Sequence, residues 1–160
     1  MARFGLNARR SGPGWAGLVL VAALGCLACA SESPDLLKDG YYTAEAAEFD
    51  LLGWKEYLTI YVSDGRIVSA EYNSRNSSGF LRSWDMADTR QSNQATGTNQ
   101  SKYARAYTVA LLNRQDPAKV TPTAGAAQAH ANFQRLAEAA VAQAKTGRQR
   151  LTLVDLKDRR

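Results

Sequence analysis

The stretch Trp54-Lys-Glu-Tyr-Leu-Thr-Ile-Tyr-Val-Ser63, Asp64-Gly65, Arg66-Ile-Val-Ser-Ala-Glu-Tyr-Asn73 holds two alternating runs joined by a two-residue turn. In the first run Leu58, Ile60 and Val62 fall on one side, and Tyr57, Thr59 and Tyr61 on the other. In the second, Val68, Ala70 and Tyr72 alternate with Ser69 and Glu71. Period-two patterning with β-branched and aromatic residues predicts strands, and Asp-Gly between them predicts a tight hairpin.

Upstream, Gly40-Tyr-Tyr-Thr-Ala44 is strand-like, and Asp50 to Gly53 is a turn. Downstream, Asn73 to Gly79 reads as a polar loop, and Phe80 to Ala87 as a short helix or irregular segment. Asp88 to Ser101 is polar and is broken by Gly97. Tyr103, Ala106, Tyr107, Ala110 and Leu111 then recur at helical spacing, with Asn99 or Ser101 available as a cap. Asp116-Pro117 ends that unit. A second helical stripe follows in Phe133, Leu136, Ala137, Ala140, Val141 and Ala144, with Lys145 in the last turn and Gly147 just past it. Leu151 to Val154 predicts a short final strand, and 156–160 a charged tail. Strands followed by helices give an α+β class: a small antiparallel sheet with a central Asp-Gly hairpin, packed against two or three helices.

The first 28 residues read as an export leader. Arg3, Arg9 and Arg10 precede an apolar run from Trp15 to Leu27 that is too short for a comfortable membrane span. Both cysteines of the chain stand at the end of this run, at Cys26 and Cys29. A Cys after small residues at this place is where a bacterial lipoprotein signal is cut and lipidated. Ala28 before Cys29 and the tether-like Ala30-Ser-Glu-Ser-Pro34 after it favour Cys29, with Cys26 as the alternative. The plainer reading is a disulfide or two incidental leader cysteines. These boundaries give a leader over 1–28, a polar tether over 29–38 and one domain over 39–155. The anchored domain is expected in the cell envelope, outside the cytoplasm.

The full chain carries 20 basic and 15 acidic residues, a net +5. Loss of Arg3, Arg9 and Arg10 with the leader leaves 17 basic against 15 acidic, or +2. That balance argues against a nucleic-acid partner. His130 is the one histidine, so no His/Cys triad or zinc set is available in the mature part. Asp85 and Asp88 are spaced to share a helical face, which is ordinarily a solvated face. Tyr41, Tyr42, Trp54, Tyr57, Tyr61 and Tyr72 read as core and cross-strand aromatics, with room for one or two to stack on a flat ring.

The candidate site is the turn before the last helix, Val120-Thr-Pro-Thr-Ala-Gly-Ala-Ala-Gln128. Small residues running into a helix start suit a phosphate, because backbone N–H groups point outward with nothing bulky in the way. The alternative is an ordinary loop-to-helix junction punctuated by Pro122. Ala124 to Ala127 contain no hydroxyl, Lys or Arg.

Together Gly40-Tyr-Tyr-Thr-Ala44, Gly53-Trp-Lys55, Val62-Ser-Asp-Gly-Arg-Ile-Val68 and this turn with its helix resemble the FMN-binding domain family. Within that family the chain looks most like small membrane-anchored spirochaete lipoproteins of the major membrane immunogen type. The likeness spans about Asp39 to Gly147. The family includes peripheral subunits of sodium-pumping and Rnf-type redox complexes. The resemblance implies electron transfer through FMN held near the turn, with a redox partner protein. In covalently flavinylated members the turn reads roughly Asp-x-x-Ser/Thr-Gly-Ala-Thr, and the last Thr carries FMN through a phosphoester. Here those positions are Thr121, Ala124, Gly125, Ala126 and Ala127. The methyl group of Ala127 cannot form that ester, so the resemblance implies non-covalent FMN. Its candidate contacts are Thr121, Thr123, Ala124, Gly125, Ala126, Ala127 and Gln128, with Arg75, Arg82 or Lys102 folding over the phosphate.

Overall fold

The computed structural model describes residues 36–156. The leader, both cysteines, most of the tether and the last four residues lie outside them. Strands β1 (Gly40–Ala46), β2 (Lys55–Ser63) and β3 (Arg66–Arg75) pair antiparallel, as the alternation predicts. A three-residue β4 (Thr152–Val154) adds to the other side of β1, giving the order β3-β2-β1-β4. β4 runs parallel to β1, so the sheet is mixed through its fourth strand.

The Asp64-Gly65 hairpin forms with both residues at positive φ, 52° and 70°. One detail of the expected alternation changes beside it. Val62 pairs with Ile67 while Tyr61 pairs with Ser69, so Val68 is an extra residue in a bulge. Ile67 therefore turns into the core and Val68 outward. On the face away from the helices, Tyr41 stacks on Tyr61 across the strands at 4.5 Å and Thr43 bonds Thr59 at 2.9 Å.

Three helices follow. α1 (Met86–Thr96) occupies most of the segment expected to be irregular and polar. It buries none of its residues, so it has no apolar stripe to show. Its ends carry the signal instead. Asp85 caps the start, accepting from the N–H groups of Ala87 and Asp88, and Gly97 ends it in the left-handed conformation. α2 (Gln100–Arg114) is capped by Asn99. It turns Ala104, Tyr107 and Leu111 inward and leaves Ala106 exposed, a stripe slightly rotated from the expected one. Gln115, at its end, bonds both the N–H and the carbonyl of Ile67, tying α2 to the bulged strand. α3 (Ala127–Thr146) buries Phe133, Leu136, Ala137, Ala140 and Ala144 against β1 and β2.

Tyr42, Leu58, Ile60, Leu111, Phe133 and Leu136 are fully buried between sheet and helices. Each large apolar side chain removed from water contributes roughly 1.5–3 kcal/mol before entropy is counted. This packing fixes the polarity of α3. Its C-terminal end meets the incoming chain, where the Lys38 N–H donates to the Ala144 carbonyl. Leu36 and Leu37 lie there too, against Gly65 of the hairpin. β4 leaves from that same end, which is why it runs alongside β1 in the same direction. Twenty residues at about 1.5 Å each put the start of α3 roughly 30 Å away.

Candidate functional site

At that far end the sheet and helices leave a cleft of about 830 Å³. It lies between the loop after β1, the second half of α1 and the first turn of α3. Phe49, Leu51, Leu52, Trp54 and Tyr103 supply apolar and aromatic lining. Of the expected contacts, Gly125, Ala126, Ala127 and Gln128 line the cleft. Thr121, Thr123 and Ala124 are not among its lining residues, and Thr121 and Ala124 are exposed.

The turn is built by buried groups behind it. The Tyr107 hydroxyl donates to the Ala126 carbonyl at 3.1 Å and accepts from the Thr123 N–H at 3.2 Å. His130 bonds the Val120 carbonyl through Nε2 at 2.7 Å and sets its ring edge against Tyr107. A carbonyl only accepts, so Nε2 carries the proton and His130 acts as a tether of the loop. Gly125 has φ +76°, and a Cβ on it would collide with the Thr96 carbonyl oxygen at the end of α1. This glycine is therefore required by packing between two backbones.

The donors at the helix start differ in one place from those expected. The Ala126 N–H is spent on the Thr123 carbonyl at 3.0 Å. The helical ladder begins with the His130 N–H on the Ala126 carbonyl. Ala127, Gln128 and Ala129 thus carry the N–H groups of the first turn, and no side chain caps it.

Of the charged lining, Arg82 and Asp88 were named from the sequence as site candidates, and Glu48, Asp50, Glu56 and Asp155 were not. Among the described residues, Arg82 is the one basic side chain lining the cleft, beside Glu48, Asp50, Glu56, Asp88 and Asp155. Arg82 is held by both oxygens of Asp88, at 3.0 and 2.9 Å, and lies over the Trp54 ring. Asp88 is thus an ion-pair partner and Asp85 a helix cap, so the two do not form a catalytic pair. Arg75 pairs with Glu45, and the Lys102 ammonium bonds Asn93, so neither folds over the turn.

Glu56 on β2 joins three elements. Its Oε2 lies 2.5 Å from the Tyr72 hydroxyl of β3, and its Oε1 accepts from the Asn132 amide of α3 at 3.0 Å. Asn132 in turn accepts from Gln128 at 3.1 Å. Burial raises the Glu56 carboxyl above the usual carboxylate range, against the opposing pull of Tyr72, Asn132 and Arg82. Burial likewise raises the hydroxyl of Tyr72 well above its ordinary value. Only spatial convergence brings these residues together, since their sequence positions are far apart.

The 15 kDa lipoprotein of Treponema pallidum (strain Nichols) is 30% identical over 130 residues, covering 81% of this chain and 89% of that one. The chain belongs to the family of this small spirochaete lipoprotein. No protein-family model matches the chain. A crystal structure of the CPE2226 protein from Clostridium perfringens is similar as well. It has a TM-score of 0.72 and 34% identity, and covers 76% of this chain and 99% of that chain. The likeness to the lipoprotein and that crystal structure covers most of the α+β domain. Among the described residues no helix is long and apolar enough to cross a membrane.

Proposed function

We propose that this chain is a lipid-anchored envelope module whose cleft holds FMN without a covalent bond. The leader over 1–28 would be removed and Cys29, or alternatively Cys26, lipidated. The lipoprotein relative and the sequence around the two cysteines support that anchor. The tether would then enter the domain beside the hairpin and the end of α3, leaving the cleft at the opposite end, available to a redox partner protein.

The observation that carries the flavin reading is the coincidence of the cleft with the start of α3. A cleft of about 830 Å³ lies in the size range of small-molecule sites. Trp54, Phe49 and Tyr103 offer surfaces for that ring, and the first-turn N–H groups of Ala127, Gln128 and Ala129 suit a phosphate. The bound flavin would supply the redox chemistry, and the chain its placement.

A second reading is favoured by the charge of the lining. Among the described lining residues, five carboxyl side chains stand with a single arginine already paired with Asp88, which opposes a dianionic phosphate. Gly125, the retained mark of the turn, is accounted for by the close approach of Thr96. On this reading the module kept the fold and lost the flavin, and serves as a structural or partner-binding lipoprotein.

Titration of FMN with the purified protein, followed by flavin fluorescence, separates the two. The flavin reading expects quenching with a Kd on the order of tens of micromolar or tighter. Unquenched fluorescence through that range leaves the second reading.

A further inference from the structure

The Tyr72 hydroxyl has one proton and two neighbouring acceptors. Glu56 Oε2 lies 2.5 Å away and the Ala129 carbonyl 3.1 Å away from the same phenol oxygen. A tyrosine hydroxyl donates once and can also accept. With Glu56 ionised, one of the two contacts has no hydrogen in it. With a proton on Glu56 Oε2, the carboxyl donates to Tyr72 and Tyr72 donates to Ala129. Asn132 donates to the other carboxyl oxygen, in an orientation fixed by Gln128, which donates to the Asn132 carbonyl oxygen. Every polar contact then has one hydrogen.

We propose that Glu56 carries a proton in the folded protein at neutral pH and forms a neutral hydrogen-bonding part of the cleft, so that an anion at the start of α3 meets no carboxylate there. The second half of this proposal rests on the reading of the cleft as an anion-binding flavin site; the first half does not.

The surroundings of Glu56 support the neutral form. From β3 it faces the phenol of Tyr72, and from α2 that of Tyr103. From α3 it meets the uncharged Asn132 and, through Tyr72, the Ala129 carbonyl. Asp50, in the loop after β1, disfavours a second negative charge. The hydrogen bonds from Tyr72 and Asn132 and the charge of Arg82 favour ionisation, and the Arg82 charge is directed to Asp88. Burial is the largest influence and acts toward protonation.

The consequence for stability has a definite sign. A carboxyl raised in the folded state binds a proton that the unfolded chain has already lost. Stability therefore falls as pH rises from the ordinary glutamate value through the raised one. The substitution Glu56→Gln reproduces the neutral pattern, because the amide donates to Tyr72 while its oxygen accepts from Asn132.

The test is a carbon-13 NMR titration of the side-chain carboxyls of the full-length protein in detergent, with Glu56 assigned through the backbone. The expected result is a Glu56 signal still at the protonated position at pH 7. A signal at the ionised position at pH 7 overturns the proposal, and it needs no variant and no ligand. FMN affinity of wild type and E56Q, compared at each pH, tests the anion half and cancels the phosphate's own titration. The expected ratio shifts about tenfold toward E56Q once Glu56 ionises, the size of one pH unit of linkage. An unchanged ratio across that range overturns the anion half. Failure of FMN to bind either protein at any pH rejects the flavin reading and the anion half with it, and leaves the protonation of Glu56 to be decided by the titration.

Discussion

At its C-terminal end α3 stops on Gly147 at φ +73°, where the N–H groups of Gly147 and Arg148 close the last carbonyls. At its N-terminal end it starts from Ala126 with no side-chain cap, after Gly125 at φ +76°. Both ends use a glycine in the same backbone state, but for different reasons. Beside Gly147 an added Cβ would meet only the Lys38 side chain, at 3.4 Å, which can move. Beside Gly125 it would meet the backbone of Thr96, which cannot move without displacing the end of α1. One end is a locally closed helix stop. The other is a tertiary junction whose first-turn donors are left to a cleft.

Three substitutions test that contrast. Gly125→Ala is expected to have the largest effect, a loss of about 2–3 kcal/mol, because left-handed strain and a backbone collision add. Urea unfolding measures it, and a loss below that of Gly147→Ala would break the comparison. Tyr107→Phe comes next, at about 1–2 kcal/mol, since the Ala126 carbonyl and Thr123 N–H lose a buried partner. Amide hydrogen exchange should quicken at Thr123 and leave the Gly147 end unchanged. Gly147→Ala should cost least, about 1 kcal/mol, the strain of a left-handed alanine with room around it. A larger loss would mean that the docking of Lys38 depends on that glycine.

Local patterns carried the sheet far. The alternation from Trp54 to Asn73 and the Asp-Gly turn specify β2, β3 and their hairpin, because a buried face and a two-residue turn are both short-range signals. The stripe from Phe133 to Ala144 specifies the buried face of α3 in the same way. The bulge at Val68 was not legible, since either Ile67 or Val68 can fill an inward position until Gln115 grips the strand at Ile67. α1 was missed because its pattern lies in its caps, Asp85 and Gly97, rather than in a stripe.

The candidate site divides likewise. The turn at Gly125–Gln128 was legible as small residues before a helix, and the structure brings it to the cleft. Thr121 and Thr123, chosen for their hydroxyls, fall outside the lining because the Tyr107 and His130 contacts hold the loop from behind. Glu56 carried a signal that went unread: the alternation sets it on the inward face with Leu58, Ile60 and Val62, where an acid is out of place. Its partners, Tyr72 and Asn132, are distant in sequence.

By itself the sequence determined the hairpin, the apolar face of α3 and the methyl group at Ala127 that rules out a phosphoester there. Each follows from the chemistry of a residue or from the spacing of near neighbours. Only the tertiary structure decided that the incoming chain and the cleft lie at opposite ends of α3. It also decided that Gly125 answers to the backbone of α1, and that one carboxyl, one phenol and one amide share their hydrogens beside the helix start. Those depend on which distant segments pack together, and burial between them changes what an acid or a glycine is for.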